Sequence, residues 1–468
     1  MRQWYAALSM VLWVLPPAAV RATGSVTAEA DVLHEVAQIR AETGLSGSGV
    51  KVGIIGLGIL TWGNAVASGD LPSDLQVLDT EGGSDETIAF AEIIHDLAPN
   101  AALLFSYART VLDVPDAIDR IRAVTGAGEP LVILLLENVE ADSIFEDWVS
   151  AQAAQEAAAD GILVIVEAGD HGASHYRGAY VAGAGDLHDF GGGKTRATME
   201  LPVNCPLQVT LYWSEPAAQI TSQYRLLAYN EEGTLVSVGA FHGAYAANGL
   251  ALASYDYVRR PQFEIEKLSG QDRTIDVHAI CADHDVKGPM LEEEQRVATG
   301  SVIGAAAAPG VLTVGALDSS APVGRALYSP HYYSNHGPVE IFFPDTVFRE
   351  KPDLMALDGQ STTQWHPANG TAVAAAVVTG MAALLAEHTG EVETVQLKVR
   401  LTDTARDLGE PGYDRSTGYG QVDLRAALDY VPVPAFGAAG LVLIGLIVGA
   451  LAVGRCSQAR ANAIGGRV

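Results

Sequence analysis

The chain has 468 residues, 49% of them hydrophobic and 18% charged, which gives enough apolar chain for one large core and a second small one and excludes a disordered protein. Acidic residues number 56 against 28 basic ones, a formal charge of −28. A surface this negative repels nucleic acid and anionic lipid headgroups, so nucleic acid is not expected as a partner.

The N-terminus opens with Met1-Arg2, an apolar run through Val14, and Pro16-Pro17. Val20-Arg21-Ala22 then gives the small −3/−1 pattern of cleavage, so residues 1–22 are read as a signal peptide and the mature chain as starting near Thr23. From 34 to 194, strand-like runs at Val50–Ile55, Ala101–Phe105, Leu131–Leu136 and Ile162–Val166 alternate with helical stretches at Glu86–Leu97, Val114–Val124 and Asp147–Ala159. Short buried strands alternating with helices imply an α/β fold, a doubly wound parallel sheet covered on both faces. Between 195 and 288 the helical period disappears. Gln208–Trp213, Tyr224–Tyr229, Thr234–Val238, Gln262–Ile265 and Thr274–Ala279 read as strands, which predicts an inserted antiparallel β-sandwich. Residues 289–430 resume the α/β texture, with a strand at Val311–Val314 and helices at Gly370–His388, Glu393–Thr404 and Leu424–Tyr430.

Residues 435–453 are uncharged and apolar, about 28 Å long as a helix, which matches a bilayer core. Arg455, Arg460 and Arg467 follow, so 454–468 is read as a cytoplasmic tail and the globular body as extracytoplasmic, held to the membrane by one C-terminal transmembrane helix. Cys205 and Cys281 fall near the insert, while Cys456 lies beyond the apolar segment. In an exported protein the first two are a disulfide candidate, worth about 4 kcal/mol by loop closure. Two separate buried thiols is the other reading.

Several stretches, in order, resemble landmarks of the subtilisin-like serine peptidases. Gly47–Ile55 resembles the strand that ends in the triad Asp. Asp85-Glu86-Thr87 through Ala101 resembles the helix of the triad His, and Ala168–Gly172 the turn of the oxyanion-hole Asn. Ala308–Ala316, Ser334–Pro338 and Lys351–Ala356 resemble three further landmarks. Gly370–Ala375 resembles the Gly-Thr-Ser start of the nucleophile helix, and Gly418–Asp423 the closing turn. The Asp85-Glu86 variant and the β insert are most similar to a bacterial branch with Glu at the His position, as in the sedolisins.

Carried over by resemblance, the catalytic positions are degenerate. Gly56 and Leu57 stand where the orienting Asp belongs, Glu86 replaces the base, Asp170 replaces the oxyanion Asn, and Ala372 replaces the nucleophilic Ser. A methyl group has no lone pair to attack a carbonyl, and an ionised Asp donates no hydrogen bond to an oxyanion. A Glu can act as a base when burial raises its pKa. Thr371 is the alternative nucleophile, although a hydroxyl at a helix start more often caps it. Asp85, Glu86, Glu167 and Asp170 are candidates for an acidic pocket that binds a cation or a basic peptide, against the plainer reading of four solvated carboxylates. His95, His171, His331, His336 and His366 show no paired metal-ligand spacing, so no metal and no cofactor are expected. The resulting expectation is a non-catalytic pseudopeptidase binding peptide or protein at the cell envelope. An acid-pH carboxyl-type endopeptidase and an adhesion protein acting through the β insert are the rivals.

Overall fold

The computed structural model describes residues 24–79, 84–136, 143–203, 205–241, 246–252, 259–281, 288–320 and 328–431. The expected signal peptide at 1–22, transmembrane helix at 435–453 and tail at 454–468 lie outside them. The chain divides into a unit ending at Leu428 and a C-terminal segment from Asp429. Of the latter, residues 429–431 are described and contain neither helix nor strand.

In chain order, α1 (Ala30–Leu33) and α2 (Val36–Thr43) precede β1 (Lys51–Gly56), α3 (Trp62–Ser68) and β2 (Gln76–Val77). Next come α4 (Glu86–Leu97), β3 (Ala102–Tyr107), α5 (Val114–Val124), β4 (Leu131–Leu135), α6 (Val149–Ala159) and β5 (Leu163–Glu167). Ten strands follow: β6 (Tyr176–Ala179), β7 (Ala197–Glu200), β8 (Leu207–Trp213), β9 (Gln223–Tyr229), β10 (Leu235–Val238), β11 (Ala240–Phe241), β12 (Ala247–Leu252), β13 (Gln262–Ser269), β14 (Thr274–Cys281) and β15 (Met290–Leu291). The chain then supplies β16 (Leu312–Leu317), the small pair β17 (Val339–Ile341) and β18 (Val347–Arg349), β19 (Leu354–Leu357), α7 (Thr371–Thr389), α8 (Gln396–Asp403) and α9 (Leu424–Leu428).

Among the described residues the main sheet has seven strands in the order β19-β16-β5-β4-β1-β3-β2, all paired in parallel. Successive side chains of a strand point to opposite faces. Ile54, Leu134 and Ile165 therefore join one core with α4 and α7, while Ile55, Leu135 and Val164 join another with α5 and α6. Covering both faces is what makes these strands read as continuous apolar runs. α7 is long and apolar enough to cross a membrane, yet it is mostly buried in the body and is its central core helix.

The insert is wider than residues 195–288. Two five-stranded antiparallel sheets, β10-β9-β13-β7-β15 and β11-β12-β8-β14-β6, form the sandwich. The outer strands β6 and β15 extend it to Tyr176 and Leu291. Both are too short to carry a readable alternation, and they are defined by pairing with β14 and β7. β12 also escaped the sequence pattern, because its Ala and Gly residues carry little β signal. Trp213, Tyr224, Phe263 and Ile265 fill the sandwich core. Cys205 and Cys281 form a disulfide with a Cα–Cα distance of 5.0 Å.

Candidate active site

In the main sheet, strands after β1 add first on one side of it and then on the other, so the chain changes direction between β1 and β4. A crevice opens beyond the carboxyl ends of parallel strands at such a switch. A cavity of about 450 Å³ occupies that place, lined by Leu57 beyond β1, Leu136 beyond β4, and Val166 and Glu167 at the end of β5. The starts of α4 and α7 close it with Glu86, Thr371 and Ala372, and β8 and β14 of the insert add Gln208, Ile280 and Cys281. Phe90 and Trp365 form an aromatic wall, with ring centroids 6.1 Å apart.

The structure brings most of the degenerate positions together here. Glu86 is the first residue of α4, Ala372 lies in the first turn of α7, and Asp170 sits in the turn after β5. Gly56 and Leu57 separate. A Cβ at Gly56 would meet Thr87 Oγ1 at 2.6 Å, whereas Leu57 lines the cavity. The position that places a side chain in the site is therefore Leu57.

Asp170 serves α7. Its Oδ1 accepts a hydrogen bond from the Thr371 N–H at 2.9 Å, at the positive end of the helix dipole. Gly370 makes room for it, with φ of +121° and a Cβ position only 2.8 Å from Asp170 Oδ2. The Thr371 hydroxyl accepts from the Gly169 N–H at 3.0 Å, and its side chain is buried. The turn itself is held by Asn335, which accepts from the His171 N–H at 2.7 Å and donates to the carbonyls of Ala168 and Ser301 at 2.8 Å each.

Glu86, Glu167 and Asp170 line one cavity, and no Lys or Arg lines it among the described residues. Asp85 is not with them. Its carboxylate accepts from the Thr61 N–H at 2.6 Å and the Thr61 hydroxyl at 2.8 Å, so it pins the loop before α3. The expected set of four carboxylates is thus a set of three, because adjacent residues at a helix start point in different directions.

Sequence reasoning missed Tyr333 and Asp358 beneath the start of α7. The Tyr333 hydroxyl donates to Asp358 and accepts from the Gly370 N–H at 3.0 Å. Burial pushes Asp358 up to about 7 and also raises the Tyr333 hydroxyl, which faces that carboxylate. Neither residue carries a local signal, since tertiary contact alone pairs them. The reading of the histidines also needs correction. His171 and His175 are four residues apart, and Asp276 and His278 are two apart on β14. The fold gathers His175, Asp276 and His278 into one buried group.

A doubly wound parallel sheet whose crevice is closed by the starts of α4 and α7 gives the chain a subtilisin-like α/β fold. Residues 284–420, which include β16, β19 and the start of α7, match the Peptidase_S8 model, the Subtilase family. A 126-residue stretch is 38% identical to Mycosin-5 of Mycobacterium tuberculosis (strain ATCC 25618 / H37Rv). That match covers 26% of this chain and 20% of the relative, so the chain spans about a fifth of the curated protein it matches. The structure of the CspB protease of Clostridium perfringens superposes with a TM-score of 0.54 at 14% identity, over 86% of this chain and 96% of that one. At that identity the likeness concerns the fold alone.

Proposed function

We propose that this chain is a non-catalytic member of the subtilisin-like proteins, which holds a basic segment of a peptide or protein in its cavity without cleaving it. The observation that carries the reading is Ala372 in the first turn of α7, lining the cavity where an attacking oxygen would stand. The groups around it do other work. Asp170 is an acceptor for the helix N-terminus, which is the reverse of an oxyanion donor, and the Thr371 oxygen takes a backbone N–H. Three carboxylates beside two aromatic rings favour a Lys or Arg side chain electrostatically and by cation–π contact. The apolar segment at 435–453 and its trailing arginines support anchorage at a membrane, with the body outside the cytoplasm.

The test is to incubate the full chain, purified in mild detergent, with a diverse peptide mixture from pH 3 to 9 and read products by mass spectrometry. No cleavage is expected at any pH, while Lys- and Arg-containing peptides are retained, and less so by Glu86→Gln. Cleavage that disappears in Thr371→Ala or Glu86→Gln would establish the acid-pH enzyme instead.

One observation favours a second reading, adhesion through the insert. Leu235, Val236, Val238 and Phe241 are each more than 40% exposed on the edge strands β10 and β11, and exposed apolar edges mark pairing surfaces. Leu235→Lys with Val238→Lys in the full chain should then abolish partner binding that Glu86→Gln leaves intact.

A further inference from the structure

Behind the turn that carries Asp170, the insert and the body meet at a buried group of polar side chains. Asp276 and His278 point to the same face of β14, being two residues apart on a strand. His175 immediately precedes β6, which pairs with β14 through Tyr176 and Val277. The side chains of His175 and Asp276 are fully buried and that of His278 is 4% exposed.

Arg177 already donates to Asp276, yet ring nitrogens of this group are left without hydrogen-bond partners to match. His175 Nδ1 contacts the Val297 carbonyl oxygen, so it carries a hydrogen and donates. Its Nε2, which in the neutral ring is a lone pair, faces both oxygens of Asp276 at 3.2 Å. His278 Nε2 lies 2.6 Å from Asp276 Oδ1, but outside hydrogen-bonding geometry, and both of its ring nitrogens are buried with no hydrogen-bond partner. Buried unsatisfied nitrogens are costly. A second proton on His175 would answer its contact with Asp276 and leave His278 unanswered. A single cation shared by the three takes the Nε2 lone pairs of His175 and His278 together, leaving only His278 Nδ1 without a partner.

We propose that His175 Nε2, His278 Nε2 and an oxygen of Asp276 form a site for a zinc-class divalent cation that ties the β insert to the turn carrying Asp170. One ligand atom from each of the three residues lies within 4.8 Å of the other two. Two imidazoles and a carboxylate are a donor set such cations take. The bond from His175 Nδ1 to a backbone carbonyl is the outer contact that fixes the tautomer of a ligating histidine. Arg177 donates to Asp276 Oδ2, which leaves Oδ1 for the cation. Three protein ligands leave a fourth position for a water, and burial of the side chains shuts that position off from a substrate. The His171 ring, which borders the cavity, packs edge-on 4.9 Å from that of His278, so the cation braces the cavity wall from behind.

The test uses the full chain without an affinity tag, stripped with EDTA, dialysed and titrated with Zn²⁺ or Co²⁺. We expect about one ion per chain by elemental analysis, a higher melting temperature with Zn²⁺, and visible d–d absorption of the Co²⁺ form. His278→Ala and the milder Asp276→Asn should each weaken Zn²⁺ binding at least about tenfold. Should a variant fail to fold, the paramagnetically shifted imidazole proton resonances of the Co²⁺ form of the unaltered chain decide, since they count the histidine ligands and two are expected. A chain that takes up no ion and melts identically with and without Zn²⁺ would overturn the proposal, leaving a doubly protonated His175 paired with Asp276. So would Zn²⁺ binding that His278→Ala and Asp276→Asn leave unchanged.

Discussion

The parallel-sheet body and the β insert hold themselves together by different means. The body relies on apolar layers: α4 and α7 on one face and α5 and α6 on the other, with α7 buried along most of its 19 residues. The body also buries ion pairs, Arg40 with Asp31 and Lys351 with Asp353, while the insert has a smaller core and adds a disulfide and polar clusters. Glu215 is the clearest of these. It accepts from the backbone and hydroxyl groups of Thr221 and Ser222, and from Arg273 at 2.6 Å. Burial works to raise its pKa, but those hydrogen bonds outweigh it and hold the carboxyl at about 2. A small domain cannot bury enough apolar surface to dispense with such staples.

Buried carboxyls and buried imidazoles respond to pH in opposite senses, and the body holds both kinds, since burial also lowers its His34 to about 4. In the body, burial raises Asp96 and Asp358 to about 7. The folded state then binds protons that the unfolded state releases above about 4, so this contribution to stability falls as pH rises from 4 to 7. In the insert, burial lowers His188 to about 4, so its contribution is lost as pH falls from 6.5 to 4. Glu215 adds to that loss at lower pH still, between 4.5 and 2.

The largest expected effect comes from the disulfide. Cys205→Ser with Cys281→Ser should cost about 4 kcal/mol, and hydrogen exchange should rise first in β8 and β14 while α7 stays protected. If α7 loosens equally, the contrast between the two regions fails and they unfold as one. Leu384→Ala, at a fully buried position of α7, should cost about 3 kcal/mol in denaturant melts and raise exchange in the body first. Asp358→Asn should gain about 2–3 kcal/mol relative to the parent between pH 5 and pH 8. An unchanged pH profile would remove Asp358 from the account. The smallest effect is expected for Ala372→Ser. It restores an oxygen but no orienting Asp, with Leu57 still in that place, so peptide turnover should stay at background by mass spectrometry. Measurable turnover would mean that the cavity retains more of its machinery than the pseudopeptidase reading allows.

Much of this was legible in the chain itself. Strand and helix positions in the body followed from apolar runs and period, with α4 and α5 matching at both ends, because buried parallel strands and amphipathic helices write their environment into composition. The positions that the resemblance marks as catalytic were legible because Glu86, Asp170 and Ala372 sit inside recognisable local stretches. What stayed hidden depended on contacts across long separations. Asp85 and Glu86 read as partners, and only the fold sends one to Thr61 and the other into the cavity. Tyr333 meets Asp358, Thr371 meets Gly169 and His175 meets Asp276 through tertiary packing. The wall that the insert gives the cavity also has no local signal. Composition and period were enough to place the layers, and the local stretches were enough to say which residues stand at the positions that the resemblance marks as catalytic. Which polar groups face one another came only from the packing, because hydrogen bonds and ion pairs act over about 3 Å between residues that the chain places from 24 to 202 positions apart.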